Sequence, residues 1–230
     1  MRTLILCGGK GTRAWPLTET VPKPLLDVGG QPAVRHVMDI YAGQGFDDFI
    51  LAAGYRRESI EDFAATVPSS WKVEVIDTGD ETNTAGRILK CRDAVSDPFF
   101  ATYADGFGDV DLAALLEYHN AHDGVATMTT VPLPSAYGTI EFDAEGRVSR
   151  FREKPRLPDH FINAGFFAFD VAAFEHWAGD DLERDVLPGL GAAGRLFARP
   201  HRGFWKSMDT HKDSLELTAL CTEGTPPWLR

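Results

Sequence analysis

Cysteine is scarce in this chain of 230 residues: Cys7, Cys91 and Cys221 are the only three, far apart and without a C-x-x-C pair. An odd, scattered set argues against a disulfide framework and against a zinc site, and all three read as structural residues. Long apolar runs are also missing. No stretch reaches the roughly 18 to 20 apolar residues that a membrane span needs. The opening run Leu4, Ile5 and Leu6 is too short and too quickly closed by glycine for a signal peptide, so a cytoplasmic location is expected, with no membrane partner. Positive charge is in deficit, with 23 Lys and Arg against 34 Asp and Glu and a net charge of -11. A surface of that sign is unattractive for nucleic acid, which is held by neutralising its phosphates. No repeat, linker or low-complexity tract interrupts the chain.

What is present begins at the N-terminus. The run Leu4–Leu6 reads as a buried strand feeding a turn that contains Gly8, Gly9 and Gly11. The carboxyl ends of such strands are where open α/β sheets bind ligands. Glycines remove Cβ atoms, so main-chain N–H groups can close on an anion. Lys10, Arg13 and Lys23 supply positive charge locally, and Pro22 and Pro24 stiffen the chain on both sides of Lys23. The spacing is neither G-x-G-x-x-G nor G-x-x-x-x-G-K-[ST], so neither phosphate motif applies. By itself the turn is equally consistent with an ordinary strand-to-loop connection.

Apolar runs alternate with amphipathic segments. Helices are expected over Ala33–Gln44, around Ile60 and Phe63, over Ala85–Val95, around Leu112–His119 and over His211–Thr222. Strands are expected at Phe49–Ala53, Val73–Ile76, Phe99–Tyr103 and Val125–Val131, which implies a mostly parallel sheet covered on both faces. From Gly138 the pattern changes: Thr139–Phe142 and Arg147–Phe151 read as a hairpin around Asp143–Gly146. The fold class is therefore α/β, a Rossmann-like, mostly parallel mixed sheet flanked by helices, in one domain over residues 1–230.

Asp105 follows the strand Phe99–Tyr103 and precedes Gly106, placing a carboxylate at the ligand-binding edge of the sheet. Such a group suits Mg²⁺, or simply caps a turn. Asp209 precedes the helix His211–Thr222 and is equally suited to cap it.

The segments G-G-K-G-T-R and P-K-P-L resemble the signature of the sugar-1-phosphate nucleotidyltransferases. I-D-T-G-D-E-T-N-T-A-G-R (76–87), T-Y-A-D-G (102–106), F-R-E-K-P (151–155), I-N-A-G-F-F (162–167) and G-F-W-K-S-M-D-T (203–210) look most like the glucose-1-phosphate cytidylyltransferase branch. The resemblance runs in order from residue 3 to about 228. It implies a nucleotidyltransferase fold with a nucleotide-binding half at about 1–135 and a sugar-phosphate half at about 136–230. It implies Mg²⁺, a nucleoside triphosphate such as CTP, and a sugar 1-phosphate such as glucose 1-phosphate; a guanylyl or thymidylyl enzyme acting on another sugar 1-phosphate or phosphonate, or a non-catalytic binding homologue, is the alternative. A homo-oligomer is expected.

The resemblance also assigns residues. Arg13, Lys23, Asp105 and Asp209 are the catalytic set, with Asp105 and Asp209 holding the metal. Leu6, Gly8, Gly9, Lys10, Gly11, Thr12, Arg13, Lys23, Thr82, Gly86, Arg87 and Ala104 bind the nucleotide. Thr82 and Arg87 fall on the base side, where Arg87 otherwise reads as a solvated helix residue. Gly138, Glu153, Lys154, Asn163 and Gly165 face the sugar phosphate, although Glu153 and Lys154 could equally form a surface ion pair. His160 and His201 read as surface residues and Trp205 as packing. Three features depart from the family pattern: Trp15 where a leucine usually stands, Ala104 in place of a glycine, and a short segment between Phe63 and Asp77 where the cytidylyltransferase branch is longer.

Overall fold

The computed structural model describes residues 1–229, apart from the side chain of Arg13. The chain opens with β1 (Thr3–Leu6), passes three short 3-10 turns and a small hairpin of β2 (Asp27–Val28) and β3 (Gln31–Pro32), and enters α1 (Ala33–Ala42). Then come β4 (Asp48–Ala53), α2 (Arg57–Ala64), β5 (Lys72–Asp77), α3 (Thr84–Lys90), β6 (Phe99–Tyr103), β7 (Gly106–Gly108), α4 (Leu112–Asn120) and β8 (Ala126–Pro134). The second half adds β9 (Thr139–Phe142), β10 (Val148–Arg152), β11 (Arg156–Phe169), α5 (Leu187–Ala192), β12 (Leu196–Pro200), β13 (Trp205–Ser207) and α6 (His211–Thr222).

Seven strands of the described residues form one sheet in the order β12-β8-β11-β6-β1-β4-β5. β1 lies parallel between β4 and β6, β4 is parallel to β5 and β12 to β8, while β11 runs antiparallel to both β6 and β8. The expected mostly parallel mixed sheet is thus present, with strands from both halves of the chain. From β1 the chain crosses outward to β4 and β5, then returns to the other side of β1 as β6. The strand order reverses there, which is the switch point where a crevice opens beyond the carboxyl ends.

Side chains alternate across the sheet and build two cores. Ile5, Leu51, Ala53 and Phe100 face α1, whose Val34, Val37, Met38 and Tyr41 are fully buried at helical spacing. Leu4, Ile50, Ala52, Phe99 and Ala101 face α3 and α5 through Ile88 and Leu190. Helix starts are chemically marked: Asp111 accepts from the Ala114 N–H at 2.8 Å, and Thr210 and Asp213 form a capping box at α6.

Three expectations change. The helix expected to run to Val95 ends at Lys90, with Cys91 as its cap and turns before Pro98. Strand β8 continues to Pro134 because β11 supplies a partner that far, Arg156 lying opposite Pro134. β11 itself, fourteen residues long, is legible in the sequence only as separate motifs; two register shifts and Gly165 at φ +80° break its alternation. The connection from α2 to β5 is a short loop, Ala65–Trp71. Burial raises the thiols of Cys7 and Cys91, the latter to about 12, consistent with inert structural cysteines.

Candidate active site

Beyond the carboxyl ends of β1 and β6 lies a cleft of about 800 Å³. Its first wall is the glycine loop. Among the described residues, the N–H groups of Gly9, Lys10, Gly11 and Thr12 have no hydrogen-bond acceptor, while the Gly8 carbonyl is tied back by the Tyr55 N–H at 3.1 Å. Gly11 sits at φ +61°, and a Cβ there would press on the Lys23 stem, so the turn and the lysine require each other. Leu6, Gly8, Gly9, Gly11 and Thr12 line the cleft as expected; Lys10 points away, exposed, and pairs with Glu81 at 2.5 Å. That pairing holds the lysine pKa above its ordinary value.

Lys23 stands in the cleft on a 3-10 turn, Lys23–Leu25, rather than on extended chain, because Pro24 is compatible with the first turn of a helix. Its ammonium donates to Asp105 Oδ2 and, at 3.1 Å, to Asp209 Oδ1. The carboxylates meet because β7 and β13 pair antiparallel with Gly106 opposite Ser207, and Met208 N–H donates to the Asp105 carbonyl at 2.9 Å. Asp209 does not cap α6; Thr210 does, leaving the Asp209 carboxylate turned to Lys23 and to the Ser207 hydroxyl, which donates at 3.2 Å. Two carboxylates converging on one cation are a donor set that fits Mg²⁺, which takes one or two carboxylates plus substrate phosphates. The Arg13 side chain lies outside the described residues.

Arg87 lines the cleft on the side of Thr82 and is anchored there by the chain itself. It is 4% exposed, so it is not a solvated helix residue. Its Nη2 donates to the Gly8 carbonyl at 2.8 Å and the Asp80 carbonyl at 3.2 Å, and its Nη1 to Thr78 Oγ1 at 2.6 Å and to the Gly79 carbonyl at 2.8 Å. The terminal N–H groups are thereby committed to the protein, and the guanidinium works as a pillar beneath the glycine loop. A Cβ at Gly8 would overlap it, which gives that glycine a packing reason as well as an electrostatic one. Burial pulls the Arg87 pKa down, partly offset by Asp80 and Asp180.

Gly86 is not part of the cleft wall, and a side chain there would collide with the Asp180 carboxylate. The Asp180 carbonyl also accepts from the Ala85 N–H at 3.0 Å, fixing the start of α3. Thr82 and Ala104 line the cleft.

On the acceptor side, Asn163 lines the cleft and donates to the Tyr103 hydroxyl at 3.2 Å, while Gly165 packs under the Tyr103 ring rather than facing the opening. Gly138, Glu153 and Lys154 are not part of the cleft wall; they lie on the exposed β9–β10 arm and its exit, with Lys154 at φ +42°. The sequence missed Tyr103 and Glu183. The Tyr103 hydroxyl donates to Glu183, whose other oxygen accepts from Thr84 Oγ1 at 3.1 Å. Burial, then the adjacent Glu183 charge, raises the tyrosine pKa. Glu183 sits on a π-helical turn, Leu182–Val186, that no local pattern announces; such turns recur at functional sites. Trp205, read as packing, also lines the cleft and donates its indole N–H to the Ala164 carbonyl at 2.8 Å. His160 is exposed as expected, but His201 is half-buried and pairs with Asp109 at 2.9 Å.

The glycine loop, a lysine and two convergent carboxylates thus meet at the switch point of the sheet. The chain belongs to the nucleotidyl transferase family, whose model matches residues 2–223, and it is a nucleotidyltransferase. It is 35% identical to a probable glucose-1-phosphate cytidylyltransferase of Bacillus subtilis over 99% of both chains, and 34% identical to the glucose-1-phosphate cytidylyltransferase of Salmonella typhi over 99% of this chain and 98% of that one. It is 31% identical to the mannose-1-phosphate guanylyltransferase catalytic subunit beta of Xenopus tropicalis, spanning 100% of this chain and 68% of the relative. Its class is thus that of the sugar-1-phosphate nucleotidyltransferases. The Bacillus subtilis alignment runs over 253 positions, more than the 230 residues here, so that relative carries residues this chain lacks. In fold, the chain matches a putative glucose-1-phosphate thymidylyltransferase from Bacillus anthracis with a TM-score of 0.73 at 20% identity, covering 98% of this chain and 96% of the other. Among the described residues no helix is long and apolar enough to cross a membrane.

Proposed function

We propose that the chain transfers CMP from CTP to glucose 1-phosphate, releasing pyrophosphate, with Mg²⁺ as cofactor. The observation that carries the reading is the meeting of Lys23, Asp105 and Asp209 at the mouth of the glycine cradle. The choice of cytosine and glucose rests on relatives of that name at 34–35% identity that are spanned almost end to end. The acceptor phosphate is already an anionic nucleophile, so no general base and no covalent enzyme intermediate are needed. What the site must supply is alignment of two anions that repel and relief of charge on the leaving pyrophosphate. Mg²⁺ held by Asp105 and Asp209 would supply charge withdrawal at the reacting phosphates.

The remaining roles belong to the chain. The N–H groups of residues 9–12 receive phosphate oxygens, and Lys23 sits beside the α-phosphate as a point charge. Arg13 holds the β- and γ-phosphates through its planar fork. Arg87 contributes indirectly, by fixing Gly8 and the turn Thr78–Asp80 between which the nucleoside enters. Asn163, Tyr103 and Glu183 make a hydrogen-bonded wall that accepts from and donates to the hydroxyls of the acceptor sugar.

Pyrophosphate release tests the reading, with CTP, GTP, UTP, dTTP and ATP crossed against several sugar 1-phosphates. Release confined to CTP and glucose 1-phosphate supports it. Release with GTP and mannose 1-phosphate would favour the guanylyl alternative, and no release with any pair would refute it.

A further inference from the structure

The segment from Gly9 to Leu25 carries the glycine loop and Lys23, yet it contains only three short 3-10 turns and no strand. Among its described residues the main-chain bonds close local turns, Ala14 to Gly11, Trp15 to Thr12, Glu19 to Pro16 and Leu25 to Pro22, so no ladder fixes where Gly11 and Lys23 stand. An anchor comes from the two residues that lie between β4 and α2. The Tyr55 N–H holds the Gly8 carbonyl at 3.1 Å, at one end of the loop. Arg56 reaches the other end: its Nη2 donates to the Glu19 carbonyl at 2.8 Å and its Nε to the Tyr55 hydroxyl at 3.0 Å, with the guanidinium 5.5 Å from the centre of the Tyr55 ring. To do so Arg56 adopts φ +53° and ψ +46°, a left-handed conformation that a residue with a Cβ takes at a cost and keeps only where its surroundings hold it. The tie continues inward. Thr18, beside Glu19 and 4% exposed, donates its hydroxyl to the Gly11 carbonyl at 3.0 Å, and a Cβ at Gly11 would press on both Thr18 and Lys23.

We infer that Arg56 is a positioning residue for the reaction: it holds the Glu19 carbonyl so that Thr18 keeps Gly11 in place, and with Gly11 the free N–H groups of the loop and the Lys23 stem. It is exposed and outside the cleft wall, so it acts through the loop and touches no substrate. The planar guanidinium suits the task, because two donors in fixed geometry grip the Tyr55 hydroxyl and the Glu19 carbonyl together. The inference rests on the reading of the glycine loop as the seat of a nucleoside triphosphate. Its consequence is a separation of stability from function. The left-handed conformation at Arg56 is unfavourable for the fold by itself, whereas the aim of the loop depends on it.

The test compares the parent chain with Arg56→Gly, Arg56→Lys, Thr18→Val and the double variant Arg56→Gly with Thr18→Val. Glycine removes the guanidinium but suits the left-handed conformation, so the ligand-free Tm of Arg56→Gly should stay near the parent's. Its kcat/KM for the triphosphate should nevertheless fall about tenfold with KM for the sugar phosphate unchanged, and Arg56→Lys, which still reaches the Glu19 carbonyl, should recover part of the loss. The double variant should lose no more than the worse single one, since both cut the same tie. Parent-like kinetics in Arg56→Gly would overturn the inference. So would losses that multiply in the double variant, or a loss that spreads to both substrates along with a fall in the ligand-free Tm. The triphosphate concentration that gives half of the ligand-induced rise in Tm reads the loop without turnover, and it should increase about tenfold in Arg56→Gly. A parent chain that binds triphosphate and releases no pyrophosphate would refute the transfer reaction, and the binding comparison then decides the role of Arg56 by itself; a parent that binds no triphosphate would overturn both.

Discussion

Replacing Arg87 by Met separates two accounts of the same residue. The methionine keeps most of the stem volume and removes the guanidinium, stranding the carbonyls of Gly79 and Asp80 and taking one bond each from Gly8, which keeps the Tyr55 N–H, and from Thr78, which keeps its bond to the Ala53 carbonyl. A buried acceptor left without its partner costs about 1–3 kcal/mol, less where water enters, so a total of about 3 kcal/mol is expected for the set. For a chain of this size each kcal/mol moves Tm by roughly 2–4 °C, giving a fall of about 6–12 °C in the absence of any ligand. The assay is thermal unfolding of parent, Arg87→Met and Arg87→Lys, each with and without CTP and Mg²⁺. The pillar account expects the apo protein to lose stability, with lysine intermediate because it reaches fewer of the acceptors at once. An apo Tm equal to the parent's, combined with loss of the CTP-induced rise, would refute the reasoning and return Arg87 to direct contact with the base.

Lys23→Met should lower turnover by about two or more orders of magnitude. The protein should remain folded, and activity within a few-fold of the parent would contradict the placement of Lys23 at the reacting phosphates. Glu183→Gln should raise KM for the sugar phosphate by about tenfold, the scale of one charge-assisted hydrogen bond, while leaving stabilisation by the nucleotide alone intact. A change confined to the nucleotide would move Glu183 to the other substrate. Asp181 accepts from the Glu183 and Arg184 N–H groups and from the side-chain amide of Asn83, so Asp181→Ala should cost about 1 kcal/mol by loss of the cap. Burial alone would raise the Asp181 pKa, but the Arg184 N–H and Asn83 outweigh it and the net shift is downward. A carboxylate with a depressed folded pKa stabilises fully above its unfolded value of about 3.9, and that contribution fades as pH falls through the folded value. Urea unfolding should therefore show the gap between parent and Asp181→Ala at pH 7 shrinking on acidification; a gap independent of pH would refute the assignment.

The parts legible in the sequence are those whose cause is local. The strand Leu4–Leu6 followed by glycines, the buried face of α1, the strand Phe99–Tyr103 and the hairpin around Asp143–Gly146 lie within a residue or two of where periodicity and turn chemistry put them. Family resemblance added the pairing of Asp105 with Asp209, which no spacing along the chain could supply. Where local cause failed, so did the reading: β11 hides behind a positive-φ glycine and two register shifts, and the turn that carries Glu183 has no periodic signature.

By itself, then, the sequence determined an α/β chain with a glycine-rich turn after its first strand, because backbone freedom at glycine and the burial of alternating apolar residues act within a few positions. Only the tertiary structure decided which groups share the cleft. The register of β7 against β13 sets two distant carboxylates on one ammonium, the carbonyls beneath the glycine loop draw the Arg87 guanidinium inward, and the exposed arm takes Glu153 and Lys154 away from the cleft wall. Those placements depend on contacts between segments far apart in the chain, and such contacts are fixed by packing of the whole sheet rather than by the preferences of any one segment.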